Sequence, residues 1–362
     1  MLEYKPDFEQ TKERIEAFWR REVLDRPVVM FGLARPPEQQ RPMPQKPFTT
    51  WEDYWMDIPF QTERALTSVS NQLFLGDTLP VIFPNLGPEV FSGFYGCKLH
   101  YGADTSWSEP ILSDIRQADQ LALDWNSPLL KWLLDMTDAL LEVGRGKFIT
   151  GMPDWHPGGD AIAAFRDPQN LAMDMLDHLD AVKALLQRLE GDYFKVYDLF
   201  YEKLRANGQP ITSWTPLIAD GRYYIPSNDF SIMISKRLFD EVFLPGIQRE
   251  CQYLQHSIYH LDGPGALRHL DSLLSIPELD ALQWVPGAGS EGFGRWVWVY
   301  QRAQQAGKGI QVICDISEIP LIMETLDPRG VLLSVGGVPN AEAGQKMLRD
   351  LEAWTRRKTG GK

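Results

Sequence analysis

HSIYHLDGPGALRHLDSLLSIPELDALQWVPGAG, residues 256–289, reads as strand, polar turn, helix, strand and glycine-rich turn. Ser257 to Tyr259 is β-prone, and His260 and Asp262 stand where that strand runs out. Gly263-Pro264-Gly265 breaks it, because proline gives no donor to a ladder and glycine permits a sharp turn. Leu267, Leu270, Leu273 and Leu274 then recur at the spacing of a core-facing helical stripe, which Pro277 stops. Leu282 to Val285 is the next strand, and Pro286-Gly287-Ala288-Gly289 is the turn that ends it. Two strands joined by a helix form a βαβ unit with parallel pairing. In such folds chemistry gathers at the carboxyl ends of the strands, where His260 and Asp262 lie.

Working outward, the same alternation recurs. Residues 7–22 predict an amphipathic helix with Phe8, Ile15, Phe18 and Trp19 inward. VVMFG after Pro27 predicts the first buried strand, and ARPPEQQRPMPQKP after it is too proline-rich for helix or central strand. LPVIFPN, KFITGMP, ITSWTP, IQVICD and VLLSV supply five further strands, separated by helical stretches. With the two strands of the opening unit they make eight. The expected fold is α/β: a single (β/α)8 TIM-type barrel with long βα loops, spanning residues 1–362 as one domain, with 1–26 as an N-terminal helical extension. No GxGxxG follows the first strand, which disfavours an open dinucleotide-binding sheet.

The charge balance narrows the partners. A formal net charge of −13 argues against a nucleic-acid surface and, without local arginines, against a highly anionic substrate. Three cysteines without framework spacing fit a reducing compartment. The charged N-terminus has no apolar signal core, and no apolar run reaches the roughly 18 residues of a membrane span. A cytoplasmic protein without membrane contact is expected. The 12 tryptophans suggest barrel-end packing, or a flat apolar ligand stacked on some of them.

Candidate site residues at strand exits are Arg35, Asn85, Asp154, His156, Asp160, Asp229, His260, Asp262, Glu291, Cys314 and Asp315. The i, i+2 spacing puts His260 and Asp262 on one strand face, and Cys314 ends a neighbouring strand. Imidazole, carboxylate and thiolate make a zinc set with a fourth position for substrate. Equally, His260 and Asp262 could bond turn backbone while Cys314 is a small buried hydrophobe. Asp154, Trp155 and His156, with Trp214 and Trp284, would line the pocket. Asp262, Asp229 or Glu291 would carry acid–base work if the site is dry. Gly336-Gly337 offers either an anion-binding helix start or a tight turn. Asp315, Glu318 and Asp271 read as helix-start carboxylates.

From about residue 75 to 355 the chain resembles the uroporphyrinogen decarboxylase-like superfamily. The resemblance is carried by YGADTSWSEP at 101–110, GMPDWHPGGDAIAAFRDPQNL at 151–171, SNDFSIMISKRLFDEVFLPGI at 227–247, YHLDGPG at 259–265 and LLSVGGVPNAEAGQKML at 332–348. It implies a barrel enzyme, either a decarboxylase or a methyltransferase working with a corrinoid protein and a thiol, and a homodimer. The decarboxylases carry an arginine-rich segment of the form MRQAGRY; the equivalent MFGLARPPEQQ keeps only Arg35. The methyltransferases carry His-x-Cys and a later Cys for zinc. Here His260 matches, Asp262 replaces the first Cys, and Cys314 lies one strand early. The leading expectation is therefore a methyltransferase moving a one-carbon group between a small methylated donor and a corrinoid protein or thiol. His260, Asp262 and Cys314 would hold zinc. The alternatives are a cofactor-free decarboxylase or lyase on a cyclic or tetrapyrrole acid, a carbohydrate-active enzyme, and a non-catalytic corrinoid- or tetrapyrrole-binding protein.

Overall fold

In the computed structural model, which describes residues 2–287 and 291–360, the apolar runs become short strands joined through helices. In chain order they are β1 (Val28–Met30), β2 (Val81–Ile82), β3 (Leu99–Tyr101), β4 (Ser106–Ser108), β5 (Ile149–Thr150), β6 (Tyr223–Tyr224), β7 (His256–Asp262), β8 (Ala281–Val285), β9 (Gly309–Asp315) and β10 (Val331–Gly336). Six of them form a curled, wholly parallel sheet in the order β1-β10-β9-β8-β7-β6. β2 and β5 form a separate parallel pair, and β3 and β4 an antiparallel hairpin. The opening βαβ reading holds for β7 and β8, which pair in parallel with His260 beside Gln283. The turn after β8 is only partly visible, since Ala288 and Gly289 lie outside the described residues.

The barrel expectation is met in part, and one strand assignment needs correction. Among the described residues the hydrogen-bonded ladder does not run round eight strands; it ends at β1 and β6. The run ITSWTP is not a strand. Ile211 makes one antiparallel bridge to Ala219, the Thr212 carbonyl accepts from Met152 N–H at 2.7 Å, and Pro216 has no N–H with which to continue. The strand forms instead at Tyr223–Tyr224, in the stretch that follows ITSWTP. Between the first strand and LPVIFPN lie two helices, Trp51–Met56 and Ile58–Ser70. Asp57 ends the first and caps the second, whose first turn holds Pro59.

The N-terminal helix Phe8–Trp19 buries Ile15, Phe18 and Trp19, and Trp19 stacks on His256 at the start of β7 with ring centroids 4.6 Å apart. The helix also brings Arg14 to Asp77, which has no exposed surface. Asp77 accepts from Arg14 at 3.1 Å, from Val29 N–H at 2.9 Å and from Arg26. Arg14 reaches on to Asp25 at 2.6 Å and holds its carboxyl below the ordinary range, against the opposing effect of burial. Asp77, Arg14 and Arg26 therefore each have a direct charged partner, as buried ions require.

Candidate functional site

β7 is flanked on one side by β8 and on the other by the chain leaving β6. His260 N–H donates to the Pro226 carbonyl at 2.9 Å, and Ser227 bridges His260 in parallel. That pairing carries the following turn, Asp229–Met233, to the end of β7. Asp229, His260 and Asp262 then present ligand atoms within 4.8 Å of one another.

The exit of β5 supplies the second half. Gly158 adopts φ +71°, and Gly159 opens the helix Gly159–Arg166 so close to Asn228 that a Cβ there would come within 2.6 Å of its side-chain oxygen. This approach lets Asp160 cap the opposite turn, accepting from Asp229 N–H at 3.1 Å and Phe230 N–H at 2.9 Å. His156 faces Asp154 through Nε2 at 3.6 Å and Asp160 through Nδ1 at 3.7 Å. His156, Asp160 and Asp229 form a second group within 4.8 Å, so Asp229 belongs to both.

Electrostatically the rim is unbalanced. Burial raises the Asp160 carboxyl to about 6, helped by the charge of Asp229. Burial also raises Asp154 and Asp262, with the neighbouring imidazoles pulling the other way. Oδ1 of Asp154, Asp229 and Asp262 is in each case buried without a hydrogen-bond donor. Among the described residues the ion pairs of Asp154, Asp160 and Asp229 are with imidazoles alone.

His260 is oriented from behind. Its Nδ1 meets Gln283 Oε1, Gln283 Nε2 donates to Gln311 Oε1 at 2.8 Å, and Gln311 Nε2 donates to Ser334 Oγ at 3.0 Å. With the amides in this orientation each donates onward and accepts through its oxygen, the arrangement in which His260 donates from Nδ1. The Nε2 lone pair then faces Asp229 at 4.0 Å. An outer partner that fixes the tautomer in this way prepares an imidazole as a ligand. The Trp214 ring stands edge-on to His260 with centroids 5.4 Å apart. A cavity of about 490 Å³ opens on His156, Asp160 and Asp229, and is otherwise lined mainly by apolar groups, including Pro88, Ala164, Ile232 and Met233.

Of the expected site residues, Asp154, His156, Asp160, Asp229, His260, Asp262 and Trp214 converge. The others do not join them. Cys314 alternates with the inward Gln311, so it is buried on the outer face of β9, its thiol pushed up to about 12 by burial. Trp284 likewise faces outward from β8 and packs on Trp296 at 5.1 Å. Trp155 is buried against Phe200 and Tyr224, a core residue rather than a pocket wall. Arg35 donates to the Ser70 carbonyl at the end of the helix Ile58–Ser70. Glu291 is exposed and pairs with Arg295. Asn85 accepts from Gly87 N–H and lines a different cavity, of about 320 Å³, with Arg64 and Trp55. At Gly337, φ +70° and the closely packed Asp315 carboxylate make a tight turn, and that carboxylate opposes an anion there. Asp315 and Glu318 form a capping box, as expected of helix-start carboxylates. Sequence reading missed Gln283 and Gln311. The signal was available, a single amide in the middle of the apolar strands ALQWV and GIQVICD.

No protein-family model and no curated protein sequence matches the chain. Among solved structures, a methyltransferase from Methanosarcina mazei is similar over 95% of this chain and 98% of that one, with a TM-score of 0.58 and 9% sequence identity. Likeness at that identity shows a shared fold. No helix among the described residues is long and apolar enough to cross a membrane.

Proposed function

We propose that this chain is a metal-dependent methyltransferase of the uroporphyrinogen decarboxylase-like superfamily, moving a one-carbon group between a small methylated donor and a thiol or corrinoid protein. In this reading the six-stranded sheet and the β2–β5 pair are two arcs of one (β/α)8 wall. The observation that carries it is the convergence of Asp229, His260 and Asp262, with the His260 tautomer fixed by Gln283. Two carboxylates and an imidazole fit a divalent cation such as zinc, and their undonated oxygens fit that better than a structural role. The bound ion would supply Lewis acidity and lower the pKa of a coordinated thiol or water.

The chain's own groups do the rest. Gln283 holds His260 in one tautomer, Trp214 walls the imidazole, and Ile232 and Met233 offer an apolar surface to a methylated substrate. Among the described residues neither lysine nor arginine lines that cavity, so a substrate with many carboxylates finds no counter-charge there. A second reading, a cofactor-free decarboxylase or lyase, draws on the raised Asp160 and Asp262 carboxyls as proton donors.

The test follows methyl transfer from methylcobalamin to a small thiol by the corrinoid's visible absorbance, with zinc-loaded protein. Turnover should fall at least about 100-fold in His260→Ala while the thermal melt is unchanged, as expected on losing an ion that generates the nucleophile. Full turnover in that variant, or none in the parent with any thiol, rejects the assignment.

A further inference from the structure

Three separations at the rim do not suit direct ion pairs. His156 stands 3.6 Å from Asp154 and 3.7 Å from Asp160, and His260 stands 4.0 Å from Asp229. Charge-assisted hydrogen bonds close to about 2.7–2.9 Å. Two ligands of one ion at about 2.1 Å, by contrast, sit roughly 3.0–3.4 Å apart when adjacent and about 4.2 Å when opposite. The observed separations fall between those two ligand spacings, too long for direct bonds and wide enough to admit an ion. Their free atoms agree, since the donorless Oδ1 atoms of Asp154, Asp229 and Asp262 are fully buried. The two groups meeting this description share one residue, Asp229, and no other.

We propose that the rim is a two-cation centre, with Asp229 as the bridging carboxylate between an ion on His260 and Asp262 and a second on His156 and Asp160, while Asp154 faces the other ring nitrogen of His156. The second position deepens the metal reading of the β7 site and rests on it. Asp160 remains competent as a ligand while capping the Asp229–Met233 turn, because each carboxylate oxygen accepts more than one bond. Paired ions about 3.5–4 Å apart clamp an oxygen-bearing group between them. The 490 Å³ cavity opens on the second position, so the ligand class it admits is a small molecule with an oxyanion at one end and an apolar body.

The experiment loads metal-stripped protein with manganese(II) and reads stoichiometry by mass spectrometry and coupling by electron paramagnetic resonance. About two ions per chain with an exchange-coupled spectrum are expected, as bridged pairs give. His156→Ala should bind about one ion and lose the coupling, and His260→Ala should also bind about one. Asp229→Ala should lose coupling in a protein whose circular dichroism matches the parent. One magnetically isolated ion in the parent overturns the second site and leaves the first standing. No bound ion overturns both. Two uncoupled ions overturn the bridge. None of these readings depends on methyl transfer, so failure of the proposed reaction leaves a separate signature.

Discussion

The two ends of the strands treat buried carboxylates in opposite ways. At the amino-terminal end Asp77 is fully buried and held by Arg14, Arg26 and a backbone N–H. At the carboxyl-terminal end Asp154, Asp160, Asp229 and Asp262 share a rim with two imidazoles and no lysine or arginine partner. The first arrangement neutralises its charge within the chain and is complete when the chain folds. The second leaves negative charge and undonated oxygens facing each other, so its neutralisation must come from protons or from a cation. One end is a structural ion pair, and the other is a receptacle.

The contrast is open to direct attack. Asp77→Ala leaves Arg26 buried without a counter-ion and Arg14 with Asp25 alone, and should cost about 3–5 kcal/mol in a urea melt. A loss below about 1 kcal/mol would mean the pair is no better than a surface one. Glu250 tests a buried acid. Burial raises it from 4.5 to about 7 despite help from the Tyr193 hydroxyl. Since the folded-state value lies above the unfolded one, the stability belonging to the neutral acid is whole below pH 4.5 and declines as pH rises through about 7. Glu250→Gln should therefore be favoured by about 2–3 kcal/mol more at pH 8 than at pH 4.5 in matched melts. A pH-independent difference would show the acid is solvated.

Smaller effects sharpen the rim itself. Gln283→Leu removes the acceptor for His260 Nδ1–H and should weaken zinc or manganese binding about 10–100-fold by competition titration, with the stoichiometry unchanged. Unaltered affinity would reduce the amide chain to packing. Asp262→Asn should raise the stability of the metal-stripped protein by about 1 kcal/mol by relieving like-charge repulsion, and lower that of the metal-loaded protein. Destabilisation in both states would place Asp262 with Asp77 as a structural group.

How far the sequence reveals these two ends also differs. The convergence of His260, Asp262, Asp229, Asp154 and His156 was legible because strand exits in parallel folds meet at one rim, whatever their separation in the chain. Cys314 and Trp284 were misplaced for a reason of parity. Each lies near the end of a correctly read strand, but the inward face is set by Gln311 and Gln283, an odd number of positions earlier (three and one). An apolar run buried on both sides carries no alternation from which to read that parity. The strand at Tyr223–Tyr224 was hidden by its brevity, and ITSWTP looked like a strand because its β-branched residues fit a pleated surface. The amino-terminal charge network left no signal, since Arg14, Arg26 and Asp77 become neighbours only after the first helix docks.

The chain of side chains from His260 through Gln283 and Gln311 to Ser334 crosses four adjacent strands, β7 to β10. Parallel strands with uniformly apolar faces offer little to choose between neighbouring alignments. A shift of β8 or β9 by one residue would turn its amide toward the helices and leave it without a partner in an apolar layer. The thread thus works as a vernier for assembly: it is satisfied in one alignment of four strands, and that alignment is the one that aims His260 Nε2 into the rim.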